Sequence, residues 1–254
     1  IMAVRNLNRG ERAVAAVRAE VPNARVELRQ LDLASLGSVR EFATALLEAG
    51  EPLDTLINNA GVMNPPERLT TQDGFELQFG TNFLGPFLLT TMLLPVLVAA
   101  PRPRVVTVTS VVAARGSIAF HDLNSERSYR PMRAYAQSKL ADYLLGLRLG
   151  ELSDERGWGL ISVLAHPGVT RTDLFRSGPS LGGRRSAPWY YSLTPGMDVR
   201  EGSEPIIMAA TWPMPHATIG QQLPPKGRWL AGGEHSRVAQ FHGDEHAERQ
   251  QQLV

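Results

Sequence analysis

A chain of 254 residues with 43% hydrophobic and 20% charged content has enough apolar material for the core of one sizeable α/β domain. Its formal net charge of +1 excludes the concentrated basic character that nucleic acid or an anionic membrane surface demands of a main partner. With no cysteine there is no disulfide framework, thiolate metal site or cysteine nucleophile; this fits a reducing compartment and makes the cytoplasm the expected location.

Ile1-Met2-Ala3-Val4 is a short apolar run expected to form a strand, closed by the polar turn Arg5-Asn6-Leu7-Asn8-Arg9-Gly10. Residues 11–20 place Ala13, Val14 and Val17 at helical spacing until Pro22-Asn23 breaks the pattern. Residues 26–33 alternate apolar and polar as a second strand. Ser35 reads as the N-cap of a helix marked by Val39, Phe42, Leu46 and Leu47. A third strand over 53–57 ends in Asn58-Asn59-Ala60-Gly61. Residues 77–100 are strongly apolar, but 84–100 are short for a membrane span and hold Pro86 and Pro95, so a buried helix is expected. The valine- and threonine-rich run 104–110 is a fourth strand, 132–152 a long helix, and 160–164 a fifth strand stopped by His166-Pro167-Gly168. One more helix is expected over 202–211. Strands alternating with helices indicate a doubly wound parallel sheet, covered on both faces, in a single domain.

Tyr135 and Lys139 stand four apart in the long helix, so their side chains share one face. A cation beside a phenol favours the phenolate, and a tyrosine tuned downwards can exchange a proton with a substrate oxygen. The choice of lysine is informative, because Lys139 and Lys226 are the only lysines among 26 basic residues. A compact ammonium on a flexible stem acts differently from a guanidinium fork. In doubly wound sheets ligands bind beyond the carboxyl ends of the strands. Those ends here carry Arg5, Asp32, Asn58-Asn59-Ala60-Gly61, Ser110 and Pro167-Gly168.

These pieces, with Asn82 in Gly80-Thr81-Asn82-Phe83-Leu84-Gly85 and with Thr172, resemble the short-chain dehydrogenase/reductase family from residue 1 to about 174. Within it, Ala3-Val4-Arg5-Asn6, the long spacing from Ser110 to Tyr135 and His166-Pro167-Gly168-Val169 are similar to the retinol dehydrogenase and protochlorophyllide reductase-like branch. The resemblance implies a Rossmann-like fold and a nicotinamide-linked alcohol–carbonyl interconversion. It implies Tyr135 as general acid/base, Ser110 holding the substrate oxygen, Lys139 on the nicotinamide ribose, and Asn82 holding a water in a proton relay. It also places Asn59, Ala60 and Gly61 along the cofactor, Asp32 near the adenine, and Thr172 on the nicotinamide carboxamide. Arg5 takes the strand end where a carboxylate would favour NAD; an arginine accommodates a 2′-phosphate, so NADP(H) is the expected cofactor.

The resemblance begins at the family's second strand. The first strand, the glycine-rich turn and the helix N-terminus that binds the pyrophosphate have no counterpart, so the domain reads as N-terminally incomplete and the sequence as a fragment. The missing strand belongs mid-sheet, and its loss is expected to leave two strand edges unpaired and a core face exposed. Residues 175–215 fall where the family places its substrate lid, and Trp189, Tyr190, Tyr191, Met197 and Trp212 point to a bulky apolar small-molecule substrate. The apolar helices at 83–94 and 140–149 are where such proteins pair, so a homodimer or homotetramer is expected. His242 and His246 have metal-like spacing but lie in a polar tail, and no metal is expected. A hydrolase built from Ser110, His166 and Asp173 is disfavoured, since Thr109 and Val111 replace the small residues of a nucleophile elbow. The remaining alternatives are a sugar epimerase or dehydratase, which needs a longer C-terminal region, and a non-catalytic NADP-binding scaffold or inactive fragment.

Overall fold

Every expected strand forms, and each runs parallel to its neighbour. β1 (Met2–Val4) pairs with β2 (Leu28–Gln30), with Ala3 opposite Arg29. β3 (Thr55–Asn58), β4 (Arg104–Val108), β5 (Ile161–His166) and β6 (Leu230–Ala231) form a second sheet in that order, with Thr55 opposite Arg104 and Arg104 opposite Ile161. The computed structural model describes residues 1–168, 170, 174, 198–212 and 230–231.

Among the described residues, α-helices connect and cover these strands: α1 (Leu7–Glu20), α2 (Leu36–Ala49), α3 (Gly85–Val98), α4 (Pro131–Arg156) and α5 (Val199–Thr211). α1 starts four residues before the expected position. Asn6 explains this: its side chain accepts a hydrogen bond from the Arg9 N–H and caps the first turn. Ser35 caps α2 as expected, accepting from the Ser38 N–H, and α2 stops at Gly50, whose φ of 67° is the left-handed form. β2 is shorter than the alternating run 26–33, because its partner β1 spans only three residues.

The helices cover both sides of the larger sheet. On one side Val39 and Ala43 of α2, Leu93 and Leu97 of α3, and Leu149 of α4 close around Val105 of β4. Leu31, just past β2, joins the same cluster, so the two sheets share one core. On the other side Ala209 of α5 packs on Val106, Val163 and Ala165. Arg104 fastens α5 from below: its guanidinium donates to the carbonyls of Ala209 at 2.7 Å and Trp212 at 3.0 Å, satisfying helix-end acceptors with a cation. The stretch Phe79–Val98 is long and apolar enough to cross a membrane by length and composition, and half of it is packed inside the fold.

The expected open edges are present. Among the described strands, β1 pairs only with β2 and β3 only with β4, so one parallel arrangement is divided between them. Ile57 of β3 is 43% exposed, an unusual state for an isoleucine in a strand next to the core.

Candidate active site

α4 carries the centre of the site, and several contacts fix its position. Pro131 occupies its first turn, where the missing N–H costs nothing. The Thr109 hydroxyl, just past β4, donates to the Lys139 carbonyl at 2.8 Å. The Ser138 hydroxyl donates to the Tyr135 carbonyl at 2.9 Å and accepts from the Asn82 amide at 2.9 Å. The first half of α4 is therefore held against the end of β4. Gly116 permits close approach there, since a Cβ on it would lie 2.6 Å from the Ala136 carbonyl.

Tyr135 and Lys139 lie on one face of α4, both buried, with Tyr135 only 6% exposed. Ser110 follows β4, close enough to the Tyr135 phenol for its hydroxyl to favour the ionised ring. Burial raises the phenol above its ordinary value and outweighs Lys139 and Ser110, which pull it down. Lys139 thus acts in the expected direction, but the net lowering of the phenol is not found. The reason is desolvation of a ring sealed inside the fold. The Lys139 ammonium donates to the Val108 carbonyl and to Asp142 Oδ2, both at 2.9 Å. Burial works against its charge, but Asp142 and Tyr135 more than offset this and hold its pKa above the usual lysine value.

Asn82 lies in a π-helical segment, Phe79–Leu84, that leads into α3; such widened turns recur at functional sites. Its Oδ1 accepts from the Val62 N–H at 2.7 Å, and its Nδ2 donates to the Val62 carbonyl and to Ser138 Oγ, both at 2.9 Å. Both amide hydrogens are therefore committed. The side chain clamps the loop after β3 onto α4, so a water held here would have to use the remaining oxygen lone pairs or the backbone.

At the other strand ends, Arg5 is exposed directly after β1. Asp32 is half-buried beyond β2, where its Oδ1 accepts from the Ala34 N–H at 2.9 Å. Asn59 and Ala60 are exposed after β3, and Gly61 sits against Asn82, where a Cβ would come within 3.0 Å of Oδ1. Pro167-Gly168 turns the chain after β5, with φ of 69° at Gly168. Thr172 lies outside the described residues.

Residues 1–179 match the family described as short chain dehydrogenase. The chain belongs to that family. It is 41% identical to mouse polyprenol dehydrogenase over 229 residues, covering 88% of this chain and 67% of that protein. It is 46% identical to human retinol dehydrogenase 13 over 177 residues, covering 69% of this chain and 53% of that protein. These relatives place it on the retinol dehydrogenase-like branch. A crystal structure of an uncharacterised protein from Mycobacterium paratuberculosis is similar over 83% of this chain and 80% of its own, at 36% identity and a TM-score of 0.59.

Three groups near the centre of this short-chain dehydrogenase site escape sequence reasoning. Asp142, seven residues after Tyr135, extends the Tyr–Lys face by one turn, and that spacing was a signal that could have found it. Glu76 and Gln78 lie in an irregular polar stretch with no periodicity to mark them. The Glu76 carboxylate accepts from the N–H groups of Gln78 at 3.0 Å and Phe79 at 2.7 Å, capping the π-helical segment. Gln78 accepts from the Asn64 N–H at 2.7 Å and donates to the Pro131 carbonyl at 3.0 Å.

His166 is buried at the end of β5, and burial lowers its pKa to about 4. Of residues 175–215, where a lid is expected, the described part 198–212 is α5 with one residue on either side, Asp198 and Trp212; Trp189, Tyr190, Tyr191 and Met197 lie outside the described residues, as do Asp173, His242 and His246.

Proposed function

We propose that the chain is an NADP(H)-dependent oxidoreductase that interconverts an alcohol and a carbonyl on a bulky apolar substrate. The observation that carries this reading is the buried Tyr135 sharing one face of α4 with the buried Lys139 ammonium, which is tied to the carboxyl end of β4, with Ser110 following that strand. The printed names of the relatives, polyprenol and retinol dehydrogenases, support a large apolar alcohol as substrate class. The chain spans 53% to 67% of the length of those two relatives.

The residues fit a dinucleotide lying across the strand ends. Arg5 is exposed and forms no hydrogen bond or ion pair among the described residues, which leaves its guanidinium for a 2′-phosphate. Asn59 and Ala60 present an open surface after β3. When bound, the nicotinamide supplies or accepts the hydride. In the reducing direction Tyr135 donates its proton to the substrate oxygen, and Ser110 holds that oxygen as negative charge develops on it. The Lys139 ammonium stabilises the phenolate that remains. In the oxidising direction the same phenolate takes the proton back.

A test is NADPH consumption with a long-chain apolar aldehyde. Tyr135→Phe keeps the ring and the packing but removes the proton. It is expected to lower turnover by about 100-fold or more, with cofactor affinity retained. Equal turnover in the variant and the parent chain would sink the mechanism.

A further inference from the structure

Asp142 is 1% exposed, more deeply buried than either member of the Tyr–Lys pair. It forms an ion pair with Lys139 at 2.9 Å, and both side chains are almost sealed from water. One carboxylate oxygen, Oδ2, takes the ammonium, while Oδ1 is buried with no hydrogen-bond partner. Such an arrangement is expensive. A buried carboxylate with half its acceptors unfilled costs more than a packed apolar residue would. The partner of this carboxylate is the lysine that shares a face with Tyr135.

We infer that Asp142 is a positioning residue of the site: it anchors the Lys139 ammonium against β4 and takes up part of its charge, so that Tyr135 keeps its proton at pH values where an unshared ammonium would remove it. The inference rests on Tyr135 being the acid/base. Lys139 has three N–H donors, and two are spent on Val108 and Asp142. One remains to serve the Tyr135 side. Asp142 adds a negative charge that opposes ionisation of Tyr135. Among the described residues, the groups that face this cluster are Tyr135 and Lys139 on α4, His166 from β5, kept neutral by burial, the Val108 carbonyl at the end of β4, and the uncharged hydroxyls of Thr109 and Ser110 just past it. Asn82 and Ser138 bear no charge. Burial pushes the Asp142 carboxyl up to about 6 although Lys139 draws it back, so the ion pair loosens just below neutral pH.

Because the chain has only two lysines, Lys226→Arg leaves Lys139 as the sole reporter. With lysine labelled at Cε, the Lys139 resonance is followed by NMR against pH, with no turnover needed. An inflection near pH 6 is expected in the Lys226→Arg chain and in a His166→Asn variant of it, and none in Asp142→Asn. Turnover is measured in parallel. Asp142→Asn is expected to move the pH profile of kcat/KM down by about one unit, and Asp142→Glu to restore most of it. An inflection unchanged by Asp142→Asn would overturn the assignment. So would a pH profile that stays in place while stability alone falls. If the inflection follows Asp142 but no variant turns over any carbonyl, the ion-pair assignment stands and the oxidoreductase reading fails.

Discussion

Burial moves the two titratable rings at the strand ends in opposite senses. It lifts Tyr135 and lowers His166, because each ring resists whichever form carries charge. His166 reaches about 4, against 6.5 for a free histidine, and its Nδ1 is buried with no partner to stabilise a second proton. The unfolded chain therefore binds more protons than the folded one between those two values. The contribution of His166 to stability is whole above pH 6.5 and is lost as pH falls through that window to 4. Asp142, pushed up from 3.8 to about 6, runs the other way and masks part of this slope in the parent chain. The informative quantity is accordingly the gap in unfolding free energy between the parent and His166→Asn. It should shrink by about 3 kcal/mol from pH 7 to pH 4, as read by urea denaturation; a constant gap would contradict the buried neutral ring. The shared face of Tyr135 and Lys139 was legible from spacing, since helical period fixes it, and the polar strand ends and the resemblance marked the pair as a site. Their burial was not, because it is made by Ser110, Thr109 and Asn82 arriving from elements far away in sequence.

Among the elements, the least legible is the polar chain between Met63 and Gln78. It carries no helical or strand periodicity, yet it forms a framework beneath the start of α4. Tyr129 donates to the Pro65 carbonyl at 2.9 Å, Arg68 donates to the Asn124 carbonyl at 2.8 Å, and Gln78 bridges Asn64 to Pro131. Glu76, fully buried, closes this framework by capping the π-helical segment that holds Asn82. Burial raises its carboxyl even though the two backbone N–H bonds and Arg68 favour its charge. Glu76→Ala would orphan two buried N–H groups, at a cost of about 3 kcal/mol. Chemical denaturation measures this, and an unchanged midpoint would show that the cap contributes nothing. α1 teaches a similar lesson: its early start depends on one Asn6 side chain, which apolar periodicity could not register.

At the scale of the molecule, the division of the strands into β2-β1 and β3-β4-β5-β6 determines what a ligand meets. The resemblance led to the expectation of two open edges, and the pairing has them at β1 and β3. A single core joins the two parts, because Leu31 beyond β2 packs into the same cluster as Val105 of β4. Gly85 shows how tightly the parts meet, for a Cβ there would lie 2.6 Å from the Leu33 carbonyl. The parallel pairing and the polar strand ends were legible because alternating strands and helices admit few topologies. The two-residue β6 was not, since so short a strand leaves no pattern of its own.

These strand ends, with Arg5 after β1 and Lys139 held at the end of β4, are expected to bind a nicotinamide dinucleotide. Fluorescence titration of the 254-residue chain with NADPH and with NADH tests it most directly. Binding of NADPH in the micromolar range is expected, with NADH weaker by about tenfold or more, a difference near 1.4 kcal/mol for the 2′-phosphate on Arg5. Failure of both nucleotides to bind would contradict the account, and equal affinity for the two would remove Arg5 from it.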